Sequence, residues 1–440
     1  MSSLFYIFLF SLFILPEVCV FSQILPYSRI ISALIIFTGF IYISLQPQQR
    51  RPVYRSDLVK PIKKLLFYWI VLILYILLID LYREGVYEAI KEFLKYITYL
   101  GMFYMLIKTK PDININKRKF DSFILILFLF NLVFGIIQIF DYEFTYAKLL
   151  PESPFTILYL DEFTQNFLEA EGRVIGPFII TIGFSAILGL ILLYCGNRYL
   201  LFQKKFVYLF ICIITIVLSF FTFTRSLTFG LIPSMILGYL ILNKKWKHGI
   251  YILIVSVFFL IFLENVFLPM THQFDRRSSM VLEGNTAVKI LSNVCGVAGV
   301  LNKSPLVGVP KEENFTIISE GTRLVRLFAL DKFPIVDTNH NQIGWFIKYY
   351  GIIGFWFFIA FNIYLFRTIL LLNDKFSRYF ILTLYIFIMQ FSMLHNNLLI
   401  TDYYFWIFCG LCLIQEIKGK QVALANNHSQ LFKYYKGTLT

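Results

Sequence analysis

Residues 206–242 read FVYLFICIITIVLSFFTFTRSLTFGLIPSMILGYLIL, and among these 37 residues only Arg225 is charged. A helix needs about 20 apolar residues to cross a hydrocarbon core about 30 Å thick. The stretch is therefore two spans joined by a tight turn, with the arginine at the turn. Its apolarity is continuous rather than alternating, which selects helices over barrel strands, the other structure that satisfies its backbone in lipid.

The rest of the 440-residue chain repeats this pattern. It is 58% hydrophobic and 15% charged, with a mean hydropathy of +0.71, whereas a soluble domain carries roughly 25% charge. Apolar runs near 4–20, 29–45, 65–82, 93–107, 122–140, 174–195, 206–222, 227–242, 249–268, 342–366, 379–394 and 403–415 predict about 12 transmembrane helices. The expected fold is an all-α polytopic membrane protein, one transmembrane domain over 1–440. The first run has no basic segment before it and no small-residue cleavage site after it, so it reads as a span rather than a cleaved signal.

Charge sets the orientation. With an even number of spans the termini share a side, and that side collects 24 Lys/Arg against 5 acids, while the other has 14 against 21. Lys95 and Lys348 fall inside spans. By the positive-inside rule both termini are cytoplasmic. The net charge of +14 is then a matter of topology and calls for no nucleic-acid partner. Two long loops face outward, 141–173 and, between spans 9 and 10, 269–341, the only stretch long enough to form an extramembrane unit. In a bacterial inner membrane they lie in the periplasm. Of the six cysteines only Cys295 is well inside an outward loop, so no disulfide framework is encoded.

The chain has no phosphate-loop glycine motif, no Asp-x-Asp for a metal-bound nucleotide sugar and no His, Glu or Cys cluster with metal spacing. No metal or cofactor is expected. An energised substrate would have to arrive in the membrane. What stands out is cations placed where spans meet the outside. Arg225 is the clearest, since a charge this near hydrocarbon is costly and faces a cavity, a partner or, as a snorkelling anchor, the interface. Arg173 opens a span after an acidic loop, and Arg276, Arg277, Lys289, Arg323 and Arg326 add positive charge to the large loop. Arginine holds phosphate through a planar, permanently charged fork, so several together suit a lipid diphosphate carrying a sugar.

The stretch 337–354, DTNHNQIGWFIKYYGIIG, puts His340 at the edge of a span. On a helix running from 340 at 100° per residue, Gly344, Gly351 and Gly354 would lie about 40°, 20° and −40° from His340, on one stripe. The glycines would admit a close neighbouring helix. The imidazole can accept a proton from a hydroxyl near neutral pH, with Asp337 or Asn341 near enough to orient it; a polar group hydrogen-bonded at a membrane boundary is the other reading.

His340, Asn341, nine residues, Gly351, two residues and Gly354 together resemble the signature of the O-antigen ligase and polymerase superfamily of bacterial surface-polysaccharide assembly. GRVIGPFIITIGFSAILGL from Gly172 resembles that family's Arg-x-x-Gly segment, FTFTRSLTFGL its Ser-Arg segment with Thr224 for serine, and KSPLVGVP at 303–310 its Gly-x-Gly stretch with Pro310 for the second glycine. His395 also precedes an asparagine, but Trp406 stands where Gly351 would, so the resemblance does not extend to it.

The resemblance implies metal-free glycosyl transfer on the periplasmic side, from an undecaprenyl-diphosphate-linked oligosaccharide to a sugar hydroxyl. It makes His340 the catalytic base or acceptor-orienting group, supported by Asp337, Asn341, Gly351 and Gly354, and makes Arg173, Arg225 and a further loop arginine the diphosphate ligands. By spacing to Pro305 that arginine's register falls near Lys289, whereas Arg276 and Arg277 have the side chain but lie further upstream, and Arg277 is the one favoured. Membrane lipid and a chain-length regulator protein are the expected further partners. The divergent motif edges and the highly apolar, aromatic spans resemble the polymerase branch, whose acceptor is another lipid-linked repeat unit; a ligase, whose acceptor is lipid A core, is the alternative. A transporter or flippase of the same lipid is a third reading, one that predicts repeat-related halves and polar residues near the bilayer midplane.

Overall fold

The computed structural model describes residues 59–108, 117–140, 174, 181–202, 204–222, 225–243, 284–325, 342–391 and 405–413. Among them there is no strand. The helices are α1 (Val59–Arg83), α2 (Val86–Lys108), α3 (Lys117–Phe140), α4 (Thr181–Asn197), α5 (Phe206–Thr222), α6 (Arg225–Asn243), α7 (Gly284–Lys303), α8 (Asn314–Val325), α9 (Gln342–Leu370) and α10 (Lys375–Phe391). A π-helical turn, Arg198–Phe202, extends α4, a 3-10 turn, Lys311–Glu313, precedes α8, and residues 405–413 are also helical.

Four helices are long and apolar enough to cross a membrane: Lys60–Arg83, Asp121–Phe140, Phe184–Leu201 and Gln342–Leu370. The chain is a helical membrane protein. The segments Phe206–Ser219 and Pro233–Asn243 are apolar but shorter. α2 spends its first two turns on Glu88, Lys91 and Glu92, leaving an apolar stretch at 93–107 below the usual spanning length. The spans expected at 4–20, 29–45 and 249–268 lie outside the described residues.

Aromatic packing holds the centre. Trp69 of α1 lies against Trp406 with ring centroids 3.9 Å apart, and Phe103 and Phe361 close on the same pair at 5.7 and 5.6 Å from Trp69. Trp406, the residue that set His395 apart in sequence, is fully buried there as filling. Phe67, Leu78, Ile126 and Phe206 point outward and are exposed, as lipid-facing residues are.

Side-chain contacts sort the helix ends into two groups. At one end the Arg198 guanidinium, 4% exposed, pairs with Asp121 at 2.8 Å and lies 3.7 Å over the Phe376 ring, while Asn243 bonds Tyr379 and Lys64 lies over Tyr364. These contacts make α1 antiparallel to α9, and α4 and α6 antiparallel to α10. At the other end Gln342 Nε2 donates to Met389 Sδ at 3.5 Å, joining the start of α9 to the end of α10. The Val174 amide, just before α4, donates to the Phe221 carbonyl at 3.0 Å.

The large loop is not simply a loop. Within 269–341 the described part forms a helical hairpin, α7 and α8. Gly299 and Gly321 let the two backbones touch: a Cβ on Gly321 would sit 1.7 Å from the Cys295 carbonyl oxygen, and one on Gly299 2.3 Å from that of Ile317. Lys303 donates to Glu313 at 2.8 Å across the connection, and that bond holds the lysine above its ordinary pKa.

Candidate functional site

The end of α1, the segment 304–310 and the first half of α9 meet at a break in α9. Gly351 has φ 65° and ψ −166°, a conformation that ends the helical hydrogen-bond ladder and is essentially confined to glycine. The expected single stripe of Gly344, Gly351 and Gly354 on one continuous helix is therefore corrected, because the helical register is interrupted at Gly351.

A break inside a membrane helix orphans carbonyls before it and amides after it, and each must find a partner. The segment 305–309 supplies most of them. The Val309 amide donates to the Lys348 carbonyl at 2.8 Å, the Ile352 amide to Pro305 at 2.8 Å and the Ile353 amide to Leu306 at 3.2 Å. Tyr75 of α1 donates its hydroxyl to the Tyr350 carbonyl at 3.0 Å. Arg83 donates through Nη1 to the Tyr349 carbonyl at 2.8 Å, and through Nη2 to Val307 and Gly308 at 3.0 and 2.7 Å. The outcome is a splice in which loop and helix exchange backbone bonds.

Glycine is needed on both sides of this contact. A Cβ on Gly351 would lie 2.3 Å from the Leu306 carbonyl, and one on Gly308, φ 78°, would lie 2.5 Å from the Lys348 carbonyl oxygen. The glycines thus admit a loop backbone at Gly351, rather than the helix expected from their spacing. At Gly344 the neighbour is a helix, with Asn293 Oδ1 of α7 3.1 Å from the Cβ position.

Lys348 is fully buried and donates to Asn314 Oδ1 at 3.2 Å, its stem lying over Gly296 of α7. It is six residues into α9, or about 9 Å at 1.5 Å per residue. It belongs to the end of the bundle rather than its midplane. Tyr350 donates to the Asp80 carboxylate at 3.2 Å, and the Lys311 amide donates to Glu84, just past α1, at 3.2 Å, so the end of α1 and the residue after it hold both the helix and the loop.

Two of the sequence-predicted arginine segments come together as well. The Val174–Phe221 bond ties the residue after Arg173 to a point four residues before Arg225, which opens α6. Gly351 and Gly354 are placed at and just beyond the break, where the Cβ position of Gly354 is 3.1 Å from the Tyr75 ring. Lys289 lies in α7, and Arg323 is exposed in the last turn of α8. His340, Asn341, Asp337, Arg173, Arg276, Arg277 and Arg326 lie outside the described residues; α9 begins two positions after His340.

Sequence reasoning missed Arg83 and passed over the setting of Lys348. Arg83 sits in LYREGVY as an ordinary basic residue closing a helix before the positive-φ Gly85. Its partners are backbone carbonyls more than 220 residues away. No family model matches the chain, and no curated protein matches it.

Proposed function

We propose that the chain is an O-antigen or oligosaccharide repeat-unit polymerase of the bacterial inner membrane. It transfers a glycan from undecaprenyl diphosphate to a sugar hydroxyl of another lipid-linked repeat unit on the periplasmic face. The observation that carries this is the splice: 303–310 and Gly351–Gly354, two stretches that resemble the same family in sequence, pack backbone to backbone although some 40 residues separate them. The Val174–Phe221 bond, which draws the Arg173 and Arg225 segments together, supports a shared diphosphate site. First-turn amides of α6 would add positive potential beside Arg225.

In this reading His340 takes the proton from the acceptor hydroxyl as the glycosidic bond to the diphosphate breaks. Arg173, Arg225 and Arg277 stabilise the charge that grows on the leaving diphosphate. Orientation is supported by the two groups of helix ends. Lys60, Lys63, Lys204, Lys205, Lys375 and Arg378 lie toward the end opposite the splice, and Glu84, Glu88, Glu312 and Glu313 toward its own end.

One observation favours a transporter: a broken helix is how many transporters coordinate substrate or ion. There the unwound carbonyls line a cavity. Here those of Lys348, Tyr349 and Tyr350 are taken by Val309, Arg83 and Tyr75, which supports the enzyme reading.

His340→Ala is the test. Loss of a general base costs on the order of 10²- to 10⁴-fold in rate, enough to leave lipopolysaccharide capped with a single repeat unit while the protein stays in the membrane. Bare core with long chains on the carrier would make the chain a ligase instead. Normal glycan ladders from His340→Ala, or equal loss from His395→Ala, would remove His340 from catalysis.

A further inference from the structure

Arg83 is a cation at the end of the bundle where the diphosphate would bind, yet its fork is already engaged. Both terminal nitrogens donate to main-chain carbonyls, two on the loop and one on α9. Its side chain bonds both sides of the splice. The Val309, Ile352 and Ile353 bonds join loop to helix at single points, whereas the guanidinium spans Val307, Gly308 and Tyr349 at once. Only a planar, multi-donor cation can do this; an ammonium is a point donor on a flexible stem. Gly308 makes the approach possible, since its positive φ turns the chain back and its missing Cβ leaves room for Lys348 and Tyr349.

We infer that Arg83 is a positioning residue: by clamping the 304–310 loop to the break at Gly351 it fixes the first half of α9. This rests on the polymerase reading for its catalytic meaning, and on the hydrogen bonds alone for the clamp. Arg83 does not bind the diphosphate. On that reading its role belongs in turnover rather than in substrate affinity, because a guanidinium spent on main-chain carbonyls holds α9 in place and does not itself take the donor's charge.

The experiment uses full-length protein in lipid nanodiscs, with Arg83→Gln and Arg83→Lys assayed on lipid-linked repeat units isolated from the host strain. A second measurement is maleimide labelling of Val309→Cys, 3% exposed in the clamped loop, in a chain with its native cysteines replaced. Arg83→Gln is expected to lower kcat roughly 10- to 100-fold, to leave KM within about threefold, and to raise labelling at position 309. Arg83→Lys falls between, and Gly308→Ala, which forces the loop off α9 with Arg83 intact, gives the same pattern as Arg83→Gln. If Arg83→Gln does not insert, Arg83→Lys and Gly308→Ala carry the test.

Unchanged labelling, or unchanged kcat per folded molecule, overturns the inference. A raised KM at constant kcat also overturns it, by making Arg83 a substrate ligand. If the unsubstituted protein turns over no glycan, the polymerase reading fails and takes the catalytic sense of the clamp with it; the labelling arm still reads the clamp separately.

Discussion

Gly351 and Gly85 share a positive φ but differ in what surrounds them, and the difference sets the cost of replacing each. Gly85, φ 84°, joins α1 to α2 with nothing within 4 Å of its Cβ position. Gly85→Ala therefore costs only the left-handed conformation, about 1–2 kcal/mol. Gly351→Ala adds contact with the Leu306 carbonyl at 2.3 Å to a backbone region that side chains avoid. Strain of about 1–3 kcal/mol combines there with overpacking of about 1–3 kcal/mol. Unfolding midpoints in detergent should fall well below the parent for Gly351→Ala and only slightly for Gly85→Ala. Equal shifts would mean that the loop can move away from α9 freely, and the splice would lose its structural importance. The glycine was legible in sequence as a place of close approach. What approaches it was not, because a helical projection assumes the ladder continues and cannot register that Gly351 ends it.

At the scale of elements, the α7–α8 hairpin is the part that hydropathy could not reveal. Both helices are polar enough to read as a loop between spans, yet VCGVAGV at 294–300 carries the small-residue spacing of a close helix contact. Gly299 and Gly321 use it, and the hairpin in turn covers Lys348 through Gly296 and Asn314. A buried ammonium costs several kcal/mol unless it is hydrogen-bonded, so the hairpin keeps the first half of α9 satisfied as well as covered. Gly321→Ala cannot be accommodated 1.7 Å from the Cys295 carbonyl oxygen. It should cost at least about 1–3 kcal/mol and speed tryptic cleavage after Lys303 and Lys311, with Arg323→Gln as the exposed control that changes no hairpin packing. A cleavage rate in Gly321→Ala equal to the parent's would show that the backbones are not in contact. The apolar runs were readable because span length and continuity are one-dimensional patterns. The hairpin and the Arg83 bonds depend on partners brought together by folding, Arg83 and Tyr349 being 266 positions apart, and so leave little local trace.

For the whole molecule, the sorting of helix ends turns orientation into a single measurable choice. The contacts of Arg198 with Phe376 and of Asn243 with Tyr379 define one end, and those of Gln342 with Met389 and of Arg83 with Gly308 define the other. Whichever end faces the cytoplasm, all the helices joined by these contacts turn with it. Among the described residues Lys and Arg outnumber acids at the first end and are matched by acids at the second, so on the polymerase reading the positive-inside rule would direct the splice and the hairpin outward. Labelling sites must be exposed as well as correctly sided. Ser377, in the basic segment, is buried and bonded to Asp374, and would resist reagent from either side. Asn302 at the end of α7 and Asn373 in the turn between α9 and α10 are both exposed. In spheroplasts, Asn302→Cys should react with a membrane-impermeant maleimide at once, and Asn373→Cys only after the membrane is opened. The reverse order would put the splice in the cytoplasm, where undecaprenyl-linked repeat units are assembled from nucleotide sugars rather than polymerised. That result would overturn the polymerase reading at its premise, since the proposed transfer takes its energy from the lipid diphosphate rather than from a nucleotide and must meet that lipid on the far side of the membrane.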